Sequence, residues 1–268
     1  MISQDKSPCL GCGSQGGASG VSRSPSPSPR WPRRVVRFLD VPNPEQSSNA
    51  ESPDETPFDT ADFVVVDVET TGTGAARGDR VTEVAAVRVH RGVVEPLFDS
   101  LVNPGRPIPY FITQLTGIDD RMVCGAPSFA DIAGELAAHL AGRIFVAHNA
   151  AFDWSFLDAE FSRVAAGQPG AFAALVPTRL CTVRLARRLL RHLPRRNLDA
   201  VCAHYGIGND GRHRAAGDAH ATARVLVKLL GDAERAGMWS LESLTRYAAV
   251  RRPRRHARPT WSEGADGA

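Results

Sequence analysis

Along the chain, short apolar β-branched runs come first and apolar positions at a period near 3.6 come later, which predicts strands before helices. The opening run, Phe63-Val64-Val65-Val66, is apolar and largely β-branched, and it continues into Asp67-Val68-Glu69-Thr70-Thr71-Gly72. Val81 to Val89 and Val93 to Leu101 follow as strands joined through Gly92, an antiparallel meander that Asn103-Pro104-Gly105 ends. Residues 127–141 place Phe129, Ile132, Leu136 and Leu140 at helical spacing, and residues 143–147 form a short apolar strand. Asn149 stands where an N-cap would open a helix over residues 151–164, with Phe152, Phe156 and Leu157 toward the core. An extended piece near 179–182 leads into a basic helix over 183–192, a short helix over 198–204 ending at Gly206, and a long helix over 215–236. No internal repeat is visible. A meander followed by β/α units predicts an α/β protein with a mixed five-stranded sheet and helices on its faces.

Composition sets the domain boundaries. The chain has 268 residues, 43% hydrophobic and 23% charged, which suits one domain with tails. Residues 1–58 are rich in Ser, Pro and Gly and include Ser24-Pro25-Ser26-Pro27-Ser28-Pro29, so they read as a disordered tail. Residues 59–247 read as the domain and residues 248–268 as a basic disordered tail. No run reaches the ~18 apolar residues of a membrane span, and the first residues lack the apolar core of a secretory signal, so a cytoplasmic protein without a membrane partner is expected. Five cysteines form no tight framework, which fits a reduced compartment. Cys9 and Cys12 make a lone CxxC with no second pair to complete a structural zinc site.

Charge is informative through its distribution, because the net value is only +3. Arg30, Arg33, Arg34 and Arg37 interleave with Trp31 and Phe38, and Arg251, Arg252, Arg254, Arg255, His256 and Arg258 make a second basic run. Either tail could add sequence-blind affinity for nucleic acid, or serve as a solvated end.

The chemistry begins with Asp67 and Glu69. Residues of like parity share a strand face, so the two carboxylates project together with Cα atoms about 6.6 Å apart. Acids at the end of a buried strand cost stability unless a cation or solvent neutralises them. A strand fraying into a polar loop is the alternative for this pair alone. Asp153 lies in the first turn of a helix beside the same sheet edge, where it either joins a site or complements the helix dipole. His213 and Asp218 stand at the mouth of the last long helix. On a continuous helix they would point about 140° apart, so His213 is assigned to the entering loop, free to swing toward a reacting water, with Asp218 anchored to hold a metal. Four carboxylates and one loop histidine match two-metal phosphodiester hydrolysis, with two Mg²⁺ or Mn²⁺ ions held by hard oxygen ligands and an imidazole to take a proton from water. Carboxylate dominance disfavours zinc.

These stretches resemble the motifs of the DEDDh-type 3'-to-5' exonucleases of the ribonuclease H-like fold, the family that includes the proofreading epsilon subunit of bacterial DNA polymerase III. The resemblance spans roughly residues 62–236. Its first motif is matched by Val66-Asp67-Val68-Glu69-Thr70-Thr71-Gly72, its second by His148-Asn149-Ala150-Ala151-Phe152-Asp153 and its third by His213-Arg214-Ala215-Ala216-Gly217-Asp218. Ile112-Thr113-Gln114-Leu115-Thr116-Gly117-Ile118 is similar to the family's LTGI-type segment, and residues 181–187 to its D-T-L-x-L-A-R segment, with Cys181 where aspartate is frequent. The resemblance implies Asp67, Glu69, Asp153 and Asp218 as metal ligands and His213 as general base. It also implies Thr70 and Thr71 at the 3'-terminal nucleotide, with Thr116, His148, Asn149 and Phe152 as further substrate neighbours. Turn hydrogen bonding for the threonines and core packing for Phe152 are the alternative roles.

The implied activity is Mg²⁺- or Mn²⁺-dependent release of 5'-mononucleotides from the 3' end of single-stranded or mismatched DNA, in proofreading or repair. An RNA-trimming exonuclease would use the same carboxylates, and a polymerase-bound proofreader would need a docking segment. A non-catalytic binding module is disfavoured, because binding alone does not call for four carboxylates that repel phosphate.

Overall fold

The computed structural model describes residues 57–58, 60–165, 170–209 and 211–249. Cys9, Cys12, the Ser-Pro run and both basic runs, at 30–37 and 251–258, lie outside the described residues. The strands are β1 (Asp62–Thr70), β2 (Val81–His90), β3 (Val93–Leu101), β4 (Ile144–Ala147) and β5 (Arg179–Cys181). They form one mixed sheet in the order β3-β2-β1-β4-β5, antiparallel across β3, β2 and β1 and parallel across β1, β4 and β5. That is the five-stranded mixed sheet expected from the meander and the β/α units.

Helices cover both faces, which is why β1 reads as an unbroken apolar run rather than an alternating one. Phe63 and Val65, with Ala85 and Val87 of β2, face α6 (Thr182–Leu189), α7 (Leu198–Tyr205), α8 (Ala215–Arg235) and α9 (Leu241–Ala249). Val64, Val66 and Val68 face α3 (Phe129–Leu140), α4 (Ala150–Val164) and α5 (Ala171–Leu175). By strand parity Asp67 and Glu69 belong to the face beneath α8. Two short helices, α1 (Tyr110–Thr116) and α2 (Asp120–Cys124), sit beyond the end of β3, where Ile108, Ile112, Ile118 and Val123 gather around Leu101. Among the described residues no helix is long and apolar enough to cross a membrane.

Several elements differ from expectation for identifiable reasons. The basic helix stops at Leu189 rather than 192, and the Arg196 guanidinium donates to the freed carbonyls of Leu190 and Arg191. Asn149 does occupy the N-cap position, but with a left-handed backbone (φ 83°) and no side-chain cap bond. Short helices α1, α2 and α5 have too few turns to show a period. Pro57 and Phe58, assigned to the tail on composition, are attached: Pro57 bridges to Ser240 and Phe58 is 2% exposed.

Two features of the frame aim the functional side chains. β4 pairs with β1 only from Phe63 to Val65, so the last residues of β1 run past their neighbour and open a cleft at the sheet edge. On the other side, the β1–β2 register shifts between Glu69 and Thr70, a bulge that bends the strand at its acidic end. The long helix α8 is docked over this edge through glycine contact. A Cβ on Gly217 would lie 2.5 Å from the Gly211 carbonyl carbon, so only glycine lets the loop before α8 cross its first turn. Gly217→Ala should therefore cost about 1–3 kcal/mol through overpacking and shift the 211–214 loop. Urea denaturation checks this, and stability equal to wild type would show that the loop relaxes freely.

Candidate active site

Asp67 and Glu69 at the end of β1 and Asp218 in the first turn of α8 each offer one carboxylate oxygen, and these oxygens lie within 4.8 Å of one another. The chain brings them together by simple means. β1 delivers two residues of one parity, and α8 crosses above them with its N-terminus at the cleft. Asp218 is fixed in turn, its Oδ2 accepting the backbone N–H of His213 (3.1 Å) and its Oδ1 the amide of Asn209 (2.9 Å). His213 precedes the helix in a left-handed conformation (φ 59°), a loop residue as its separation from Asp218 required.

Asp153 stands apart from that trio. It is 3% exposed, and its Oδ1 accepts the N–H of Val68 (3.3 Å), a backbone donor past the end of the β1–β4 pairing. Seven residues on, which is the same helix face, Glu160 is 1% exposed and takes a bidentate pair from Arg80 (2.7 and 2.9 Å). Two carboxylates of α4 thus hold that helix against β1 and the start of β2.

The sequence reading missed Glu83. It sits opposite Glu69 in the β1–β2 register, and like charges facing each other across strands are destabilising. Arg214 resolves the conflict with bonds to Glu83 of 2.6 and 3.1 Å, and the Glu83 carboxylate also accepts the Ala215 N–H (2.8 Å) at the start of α8. The visible signal was an acid inside an otherwise apolar strand, together with an arginine within the third motif.

Electrostatics at the cleft are dominated by uncompensated acid. Burial pushes the Asp67 carboxyl well above its usual range, and Asp153, Glu69, Asp218 and Glu83 push it further. Burial first, then Asp218, Glu83 and Asp153, raise Glu69 to about 7. Asp153 is raised by burial and only partly restrained by its backbone hydrogen bonds. Closely spaced carboxylates with raised pKa values and no sulfur or imidazole among the clustered oxygens fit a hard divalent cation.

The remaining expected site residues are placed as follows. Thr70 (5% exposed) donates to the Gly72 carbonyl (2.5 Å), and Thr71 (1%) accepts from the Arg80 N–H (3.0 Å). Thr116 (6%) donates to the Ile112 carbonyl and accepts from the Ile118 N–H. Both ring nitrogens of His148 are engaged: Nε2 donates to the Arg196 carbonyl (3.1 Å) and Nδ1 faces the Thr182 hydroxyl (2.9 Å). Burial lowers its pKa to about 4, so it is neutral at pH 7. Asn149 is exposed, and Phe152 is half-buried with its ring 4.9 Å from that of Phe156.

A mixed sheet whose edge gathers these carboxylates, with a loop imidazole at the head of the neighbouring helix, has the donor set that a metal-dependent phosphodiester hydrolase would use. A family model described as an exonuclease, of the RNase T type, matches residues 64–226, and the chain belongs to that exonuclease family. Over 185 residues it is 35% identical to a DNA polymerase III PolC-type protein of Streptococcus thermophilus, covering 69% of this chain and 12% of that protein. It is 38% identical over 180 residues to a DNA polymerase III subunit epsilon-like protein of Rhodobacter capsulatus, covering 66% of this chain and 25% of that one. The chain thus spans a quarter or less of these relatives' length. Exonuclease X in complex with 5' overhanging duplex DNA aligns with a TM-score of 0.54 and 25% identity, over 69% of this chain and 99% of that one.

The raised carboxyl groups make stability pH-dependent. Asp67, Glu69 and Asp153 bind protons more tightly folded than unfolded, so the stability they contribute below the ordinary carboxylate range is lost as pH rises toward and through 7. His148, lowered to about 4, acts in the opposite direction, as one group against three. In chelator at pH 8, Asp67→Asn should melt at least ~4 °C above wild type, and the gap should shrink by pH 5. A variant no more stable than wild type at pH 8 would contradict the account of mutual repulsion.

Proposed function

We propose that the protein removes 5'-mononucleotides from the 3' end of single-stranded or mismatched DNA, using Mg²⁺ or Mn²⁺. The observation that carries this reading is the meeting of Asp67, Glu69 and Asp218 oxygens within 4.8 Å at a sheet edge. These three and Asp153 would hold two divalent ions, which when bound supply charge neutralisation for the phosphate and acidify water. His213 takes the proton of the attacking water. The water oxygen forms a bond to phosphorus as the bond to the neighbouring 3' oxygen breaks; that oxygen takes a proton from solvent, so the leaving strand ends in a 3' hydroxyl and the product carries the phosphate.

Asn149 and Phe152, both reachable on the turn into α4, meet the terminal nucleotide. Thr70, Thr71, Thr116 and His148 hold the surrounding backbone through the bonds described above. Tyr110, Phe111 and Leu115 of α1 are 78%, 64% and 53% exposed, and the two rings offer stacking surface to unpaired bases. The kinship with PolC-type and epsilon-like polymerase proteins supports a role beside a DNA polymerase.

The test is cleavage of matched oligonucleotides, single-stranded DNA, mismatched duplex and RNA, each labelled at one end. Mononucleotides should leave from the 3' end of the DNA strands, and chelation should stop the reaction. Asp153→Ala should reduce cleavage to near background. His213→Ala should lower turnover by roughly 10²- to 10⁴-fold and remove the rising limb of the pH–rate profile, while nucleic-acid binding persists. Release from the 5' end, or a His213→Ala variant with the wild-type rate and profile, would overturn the assignments.

A further inference from the structure

Charge is segregated in this domain. Residues 182–197 hold six arginines, one histidine and no carboxylate, whereas the whole chain has a net charge of +3, so the remainder is net acidic. The segment consists of α6 and the loop that follows it. Leu185, Ala186 and Leu190 are buried in the core beneath α8, which turns Arg187, Arg191 and Arg195 outward to solvent. Among the described residues no carboxylate lies within ion-pair distance of these three, while Arg80, Arg88, Arg143 and Arg214 are all paired.

A row of surface arginines is ordinarily a solvated face. This one is fastened to the reaction site. His148 bonds through Nδ1 to Thr182 at the beginning of the segment and through Nε2 to the Arg196 carbonyl near its end. The same residue leads directly into Asn149 and the helical turn that carries Asp153. One half-buried imidazole therefore ties the arginine segment to the turn that carries Asp153. A polyanion whose end must enter a nest of carboxylates is repelled there, and cationic contacts outside the nest offset the repulsion. Guanidinium groups suit phosphate because their donors form a planar fork.

We propose that Arg187, Arg191 and Arg195 form a docking surface for the sugar-phosphate backbone of the nucleic-acid strand, outside the nucleotide that is cleaved. This rests on the exonuclease reading above and adds where the strand is held. Contacts of this kind are blind to base sequence and sensitive to salt.

The test compares the full-length protein with the triple variant Arg187→Ala, Arg191→Ala, Arg195→Ala and with the corresponding triple lysine variant. Substrates are a DNA 20-mer, an RNA of the same sequence and the nitrophenyl ester of thymidine 5'-monophosphate, which is too short to reach the arginines. For the alanine triple, KM for the 20-mer should rise on the order of tenfold near 0.1 M salt with kcat unchanged, and the slope of log affinity against log salt should fall by about 2. Lysine should restore most of the affinity, and ester turnover should match wild type. Equal effects on DNA and RNA would mark backbone contact, and an effect on RNA alone would overturn the proposal as stated. An unchanged KM and salt slope would overturn it, as would a matching loss of ester turnover. If wild type fails to cleave the DNA 20-mer at all, the exonuclease reading falls, and fluorescence anisotropy of the labelled 20-mer in chelator still decides whether the arginines bind backbone. The arginines at 30–37 and 251–258 are present in every variant, so they do not enter the comparison.

Discussion

The structure depends on one electrostatic constraint: five carboxylates, of Asp67, Glu69, Glu83, Asp153 and Asp218, converge at the end of β1, and Arg214 is the cation paired among them. Repulsion of this size is tolerated only if the backbone is fixed by other means. Glu83 is neutralised by Arg214 and then caps α8; Asp153 is tied to the Val68 N–H; Asp218 is tied to His213 and Asn209. Each tie joins an acid to a different element, so the sheet edge, α4 and α8 are located relative to one another by the charges that would otherwise separate them. The residual excess acid is the property a divalent cation needs.

The same constraint accounts for the surroundings of the cleft. Negative potential at the carboxylate end opposes a phosphate backbone, and the arginine face of residues 182–197 is tied to the second motif through His148. Helix α1 presents aromatic rings to solvent. His148 shows how position within a motif and chemical task can diverge. It belongs to the second motif, yet burial and two hydrogen bonds make it a neutral brace, whereas His213 sits in the loop at the head of α8 in a left-handed conformation, its N–H bonded to Asp218.

Much of this was legible in the sequence. The continuous apolar run of β1 signalled a strand covered on both faces, the parity of Asp67 and Glu69 put them on one side, and the five-residue gap placed His213 off the helix. The unread part depended on contacts between distant segments. Nothing local to Val81-Thr82-Glu83-Val84 reveals that Arg214, 131 residues later, neutralises Glu83. Nor does the basic helix announce its end at Leu189, which is set by Arg196 reaching back. Helices of five to seven residues, α1, α2 and α5, are too short for a period to emerge; α1 and α2 gather around Leu101, and α5 is held by its own Phe172, buried in the core. Thr70 and Thr71 carried two readings, substrate contact and turn bonding; the Thr70 hydroxyl donates to the Gly72 carbonyl, and the Thr71 hydroxyl accepts from the Arg80 N–H, a partner nine residues away.

The central claim is that this acid cluster exists to hold cations. Titrating the metal-free protein with Mn²⁺ and following free Mn²⁺ by electron paramagnetic resonance measures that directly. The account predicts saturable binding of two ions per chain, weakened at least tenfold in a folded Asp218→Asn variant. Absence of saturable binding, or binding unchanged in that variant, would contradict it.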